Sequence, residues 1–229
     1  SKIKNQKSKI KNQKSKIKNQ MSKVGKKFPD ISVNAMNEMG DTFKINVLQE
    51  ALENKKKIIL FWYPKDFTFV CPTEIHAFQS KLSEFEKRNT MVIGASCDTP
   101  EVHFAWLSTP KDNGGIEGVT FPLIADSTRH LSETLDILDT EYVGTEENYS
   151  IEGDNVSYRA TFLIDEEGTI FHESVNVKPL GRNVDEYLRL IDGYAHNQKH
   201  GEVCPANWEE GKEAMSESRE SVANYLSKH

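Results

Sequence analysis

Cys71 stands in the run Pro64-Lys65-Asp66-Phe67-Thr68-Phe69-Val70-Cys71-Pro72-Thr73-Glu74, with a hydroxyl three residues before it and a carboxyl three after. A thiol has a pKa of about 8.5 and is only slightly ionised near neutrality, so a nucleophilic cysteine needs a cation or a helix N-terminus beside it. The surrounding residues supply the second of these. Ile58 to Tyr63 is a short apolar and aromatic run with strand propensity. Pro64 opens a loop, and Pro72 suits the first turn of a helix, where its missing N–H removes no hydrogen bond. Ile75, Phe78, Leu82 and Phe85 then recur at helical spacing among Glu74, Lys81, Glu84 and Lys87, which predicts one helix over 72–88. Cys71 is therefore expected at the positive end of that helix, where backbone N–H groups have no partner. The plainer alternative is a small buried hydrophobe, the usual fate of a free cysteine.

The pattern Pro64-x-x-x-Thr68-x-x-Cys71, continued by Pro72-Thr73-Glu74, resembles the active-site motif of the peroxiredoxins. The similarity runs from about Phe28 to about Trp208. Its closing stretch, Gly201-Glu202-Val203-Cys204-Pro205-Ala206-Asn207-Trp208, resembles the resolving-cysteine segment of the typical two-cysteine, alkyl hydroperoxide reductase type. The resemblance implies that Cys71 attacks the terminal oxygen of hydrogen peroxide or a small organic hydroperoxide and becomes a sulfenic acid. It also implies that Thr68 aims its hydroxyl at the thiolate and the peroxide, and that Pro64 covers the pocket. Arg159, in Ser157-Tyr158-Arg159-Ala160-Thr161-Phe162, would stabilise the thiolate and the charge developing on the peroxide oxygens. Without the resemblance, Arg159 reads as a surface arginine at a strand start. Glu74 reads as a structural acid of the first helical turn or as an orienter of arginine. His76 and His103 are left out of the catalytic set, because a thiolate that has lost its proton needs no base.

Cys204 follows the last long amphipathic pattern in a segment marked by glycine and proline, and is expected on a mobile tail. A mobile thiol can attack the Cys71 sulfenic acid. The resemblance implies a disulfide between two subunits, reset through thiol exchange by thioredoxin or a flavoprotein disulfide reductase. It further implies homodimers that assemble into rings, commonly of five dimers, with Trp106 and the loop before the active-site helix near subunit contacts. Phe67, Phe69 and Trp106 read by themselves as core residues. Cys97 closes the apolar run Thr90 to Ser96 and reads as a packing residue. With three cysteines and no C-x-x-C pair, a zinc site is poorly supported even with seven histidines present, and no cofactor is called for. Gly114-Gly115-Ile116-Glu117 and Tyr225-Leu226 only partly match the elements associated with overoxidation in such enzymes, so intermediate susceptibility is expected. The rival reading is a ring-forming holdase or redox-relay scaffold.

These residues must be positioned by an α/β domain. Strand 58–63, helix 72–88 and strand 91–96 form a β-α-β unit. A helix over 101–107, a strand over 121–125 and a helix over 128–135 follow. Strands 160–164 and 169–174 flank the turn Asp165-Glu166-Glu167-Gly168 as a hairpin. A helix over 182–197 and a C-terminal helix over 213–226 complete the order. The pattern resembles the thioredoxin-like fold, a central mixed sheet flanked by helices, with a C-terminal tail that carries the resolving cysteine. A thioredoxin-type oxidoreductase would need C-x-x-C, and Glu74 occupies the second position. The expected organisation is a low-complexity arm over 1–20, a peroxidase domain over 21–180 and a tail over 181–229.

The arm is a tandem Ser-Lys-Ile-Lys-Asn-Gln-Lys heptad with one isoleucine per repeat, too few for a coiled coil, and is expected to be disordered. It holds eight of the 29 basic residues and no acid, so residues 21–229 carry 21 basic against 35 acidic residues. Such a body excludes specific nucleic-acid binding, and the arm, which lacks aromatics, reads as a solvated extension. No apolar run approaches the roughly 18 residues of a membrane span, so no membrane association and a cytoplasmic location are expected.

Overall fold

The computed structural model describes residues 22–229. The arm over 1–20, with its expected disorder, lies outside the described residues. Strands β1 (Ser32–Met36), β2 (Thr42–Asn46), β3 (Lys57–Trp62), β4 (Thr90–Ser96), β5 (Leu123–Ala125), β8 (Arg159–Ile164) and β9 (Ile170–Asn176) form a sheet in the order β2-β1-β5-β4-β3-β8-β9. The sheet is mixed. β3 pairs parallel to β4, and β4 parallel to β5, while β8 runs antiparallel to β3. A second, two-stranded sheet joins β6 (Glu141–Gly144) to β7 (Tyr149–Glu152). The helices are α1 (Val47–Asn54), α2 (Cys71–Ser80), α3 (Leu82–Lys87), α4 (Pro100–Leu107), α5 (His130–Thr134), α6 (Val184–His200) and α7 (Arg219–Leu226).

β3 is central, and all six of its residues are buried. A strand covered on both faces is apolar along its length. Only Lys57, at its start, is charged, and it is paired with Glu166 at 2.6 Å; the alternation of the rest divides the core in two. Ile58, Leu60 and Trp62 enter one cluster, while Ile59, Phe61 and Tyr63 enter the other together with Cys71, Ile75 and Phe78. The same parity on β8 sends Ala160, Phe162 and Ile164 to the first cluster and Leu163 to the second. Arg159 and Thr161 share Leu163's side, so strand alternation places Arg159 on the face that holds Cys71. The β3–β8 register pairs Phe61 with Thr161, and continuing it sets Arg159 level with Tyr63, where the chain leaves the sheet for the thiol loop.

The expected helix over 72–88 is two helices. Lys81 breaks it at φ −103° and ψ 6°, and its N–H bonds to Phe78 O. The break lets Phe78 and Phe85 both bury in the same cluster on this face of the sheet, with the Phe78 ring stacked 3.9 Å from that of Phe61. The C-terminal helix is shorter than expected and starts after Ser218, whose side chain accepts from Ser221 N. The β1–β2 hairpin, α1 and the β6–β7 hairpin had no counterpart in the sequence reading. All eight residues of β6 and β7 are exposed, so no half-buried alternation marks them. Among the described residues, no helix is long and apolar enough to cross a membrane.

Candidate active site

Cys71 is the first residue of α2 and fully buried. No side chain caps this helix start, and Pro72 follows within its first turn. Thr68 Oγ lies 3.0 Å from the Cys71 sulfur and 2.8 Å from Lys65 O. A hydroxyl has one proton to give, so donation to a thiolate and donation to Lys65 O are alternatives; beside a neutral thiol, Thr68 accepts. Arg159 Nη1 lies 3.4 Å from the same sulfur.

Arg159 is buried rather than a surface residue, and its remaining contacts fix the guanidinium plane. Nη1 donates to Glu74 Oε1 at 2.6 Å and Nε to Lys178 O at 2.6 Å. Glu74 is shared with a second arginine that sequence reasoning missed. Arg182 donates through Nε to Oε2 at 2.7 Å, through Nη2 to Oε1 at 2.8 Å and through its backbone N–H at 3.0 Å. Its side chain is 1% exposed, and its guanidinium lies 5.2 Å from the Phe61 ring centre. Burial would push Glu74 up, but the hydrogen bonds and charge of Arg182, with the charge of Arg159, hold it below the usual carboxylate range. The reading of Glu74 as an orienter of arginine therefore fits its contacts. Arg182 lies just before α6, about 110 residues from Glu74 in sequence, and local pattern gives no sign that their side chains meet.

A cavity of about 590 Å³ opens beside Thr68 and Arg159, lined also by Pro64, Phe69, Val70 and Val156. Pro64 is thus a wall of the approach to the sulfur. The loop it opens is held by a buried network. Asp66 accepts from Tyr63 OH at 2.8 Å and from His103 Nδ1 at 2.6 Å, while its N–H donates to Asp98 at 2.9 Å. The second ring nitrogen of His103 faces Ile124 O at 2.9 Å, so both nitrogens point at acceptors and the ring is suited to the imidazolium. Asp66, Asp98 and His103 hold potential ligand atoms close together, but these hydrogen bonds account for their arrangement. His76 meets Gly115 O at 2.9 Å and ties α2 to the loop after α4.

The loop itself departs from expectation. Phe67 is 53% and Phe69 95% exposed, whereas Trp106 is fully buried and donates to Gly114 O. Phe67 adopts φ 57°, a left-handed conformation that few bulky residues occupy.

Cys204 is not on a free tail. It is half-buried, and its thiol donates to Gly193 O of α6 at 3.5 Å. Trp208, 3% exposed, anchors the segment, and its carbonyl accepts from Arg189 Nη1 at 3.0 Å. Burial and the Glu202 charge push the Cys204 thiol up. Gly193 is about 13 Å along α6 from the N-terminal end, where Arg182 joins the Cys71 cluster. Cys97 is buried against Ser132 Oγ at 3.5 Å, and burial pushes its thiol up.

Residues 24–173 match the AhpC/TSA family, and residues 194–228 match the C-terminal domain of 1-Cys peroxiredoxin. The chain belongs to the AhpC/TSA family. It is a thiol-dependent peroxidase of the peroxiredoxin group, with the thioredoxin-like architecture. It is 42% identical over 204 residues to alkyl hydroperoxide reductase C of Helicobacter pylori, covering 88% of this chain and 94% of that one. To peroxiredoxin-1 of Gekko japonicus it is 40% identical over 205 residues, covering 90% and 96%. The reduced 2-Cys peroxiredoxin of Plasmodium vivax superposes with a TM-score of 0.81 at 40% identity, over 90% of this chain and all of that one.

Proposed function

We propose that Cys71 is the peroxidatic cysteine and Cys204 the resolving cysteine. The observation that carries this reading is the charge balance around the sulfur. Arg159 and Arg182 oppose the single carboxylate of Glu74 inside the protein, which leaves one positive charge that a Cys71 thiolate neutralises. The thiolate attacks the terminal oxygen of a hydroperoxide and the O–O bond breaks. Sulfur keeps that oxygen as a sulfenic acid, and the departing oxygen takes a proton and leaves as water or an alcohol. Thr68 donates to sulfur or to the attacked oxygen, Arg159 stabilises the charge on the departing one, and Pro64 shields the intermediate from bulk water.

Cys204 then attacks the sulfenic acid, forming a disulfide and releasing water, and thioredoxin or a flavoprotein reductase restores both thiols by exchange. The bridge runs between subunits in this reading, because within one chain Cys71 heads α2 beside the residues that precede α6, while Cys204 is seated at Gly193, well along α6. The body over 21–180 thus supplies the attacking half and residues 181–229 the resolving half. β9 is the last strand of the sheet; residues 25–27 pair with its start at Thr169 and Ile170, and its later part, with Val175 and the following Val177 exposed, suits pairing with a second copy. Exposed Phe67, Phe69 and Phe104 suit further assembly into a ring. A reducing compartment such as the cytoplasm fits a cycle in which the disulfide is transient.

The test is one equivalent of peroxide added to reduced wild type and to Cys204→Ser, followed by non-reducing electrophoresis and disulfide mapping. A Cys71–Cys204 linked dimer absent from the variant is expected. Cys71 left as a thiol in both would sink the reading.

A further inference from the structure

The exposed β6–β7 hairpin is tied to the catalytic arginine through one side chain. Lys178 lies in the loop between β9 and α6. Its ammonium donates to Asp139 at 2.5 Å and to Asp154, the residues that bracket the hairpin at its base. Backbone bonds from Asp139 N to Val156 O and from Asn155 N to Asp139 O close that base, and Asp139 also accepts from Tyr158 OH. The approach of the two stalks requires glycine at 153, which has φ +95°, because a Cβ there would lie 2.4 Å from Asp139 O. The backbone carbonyl of Lys178 is the acceptor for Arg159 Nε. Lys178 and Asp154 also line the cavity that reaches Thr68 and Arg159.

Resting on the role proposed for Arg159, we infer that Lys178 is a positioning residue. The Asp139–Lys178–Asp154 clamp holds the Lys178 carbonyl where it fixes the plane of the Arg159 guanidinium against the Cys71 sulfur. Close to that carbonyl the loop from 177 to 183 is otherwise held by a turn bond from Leu180 N to Val177 O and one from Asn176 Nδ2 to Leu180 O, while its far end is tied to Glu74 by Arg182, four residues on. An arginine with one Nη on both Glu74 and sulfur can still rotate about that contact, and the Nε bond removes the rotation. The hydrogen bonds of the clamp hold Asp139 below and Lys178 above their ordinary ranges, as expected for groups that stay charged together.

The test is the rate constant of Cys71 oxidation by hydrogen peroxide, read by stopped-flow tryptophan fluorescence in full-length protein. Lys178→Met is expected to lower it about threefold to tenfold, with Lys178→Arg restoring most of the loss. The same Lys178→Met change in an Arg159→Lys background, which lacks the Nε–H, is expected to have little further effect. An unchanged rate in Lys178→Met, or an equal fold-loss in both backgrounds, overturns the inference, because a general loss of structure would act regardless of Arg159. If Lys178→Met fails to fold by circular dichroism, the double variant Asp139→Asn/Asp154→Asn carries the same cycle and the same expectations. A wild type whose Cys71 is not oxidised at all would instead overturn the peroxidatic assignment.

Discussion

Buried charge at this site is organised in two separate groups, and they respond differently to pH. Glu74 serves two arginines and stays ionised to low pH, so the charge set around Cys71 persists through the neutral range. His103 behaves otherwise. Burial alone would push it down, but the hydrogen bond and charge of Asp66, with the Ile124 carbonyl, raise it above its ordinary value of 6.5. A group whose pKa is raised on folding contributes stability that is complete below the unfolded value and is lost as pH climbs through the folded one. His103→Leu is therefore expected to lower the unfolding free energy by about 3 kcal/mol or more near pH 6, since it leaves Asp66 buried without its partner. That gap should narrow as pH rises above about 6.5. Urea melts of both proteins across the range check it; a gap that widens toward alkaline pH would contradict the imidazolium assignment.

At the scale of elements, α6 links the two cysteines while keeping them apart. Its N-terminal approach delivers Arg182 to Glu74, and further along Gly193 and Arg189 hold the segment that carries Cys204 and Trp208. In the proposed cycle Cys204 must leave this seat before it can reach a sulfenic acid, so the anchoring of Trp208 would compete with resolution. Trp208→Ala removes the only fully seated large side chain of residues 203–215. It should raise the rate of Cys204 alkylation at least tenfold, equivalent to about 1.4 kcal/mol of easier local opening. The same variant should accumulate less sulfinic acid at Cys71 for a given peroxide excess, because disulfide formation overtakes a second oxidation. Mass spectrometry of alkylated and oxidised peptides reads both, and an unchanged alkylation rate would show that Trp208 is not the anchor.

For the whole molecule, exposed apolar side chains among the described residues include Val175 and Val177 at and just past β9, Phe67, Phe69 and Phe104 on the thiol loop and α4, and Tyr142, Val143, Tyr149 and Ile151 on the β6–β7 hairpin. A free sheet edge bearing unpaired backbone groups favours a copy of itself. Val175→Lys combined with Val177→Lys is expected to shift light-scattering mass to that of a single chain. It should also abolish the peroxide-induced covalent dimer while Cys71 is still oxidised. Retention of the wild-type mass would move the pairing surface elsewhere.

The strand-loop-helix frame around Cys71 was legible in the sequence because it rests on local causes: a run of apolar residues, a proline at the helix start, and apolar spacing of three and four. Cys71 came from its place at a predicted helix start and Cys204 from its Gly- and Pro-marked segment, whereas Pro64, Thr68, Arg159 and the pairing of the two cysteines came from motif resemblance; the structure brings Pro64, Thr68, Cys71 and Arg159 together. Lys81 shows where local pattern fell short, since apolar spacing continues across it and only packing of Phe78 and Phe85 on the sheet explains the break. Arg182, the seat of Cys204 and the Lys178 clamp were invisible for another reason. Each is a contact between residues far apart in sequence, and its existence depends on which strands are neighbours and on their register. Local residues were enough to place a thiol at a helix start within an α/β frame. Which charges surround that thiol depends on the folded chain, because burial and proximity arise only there.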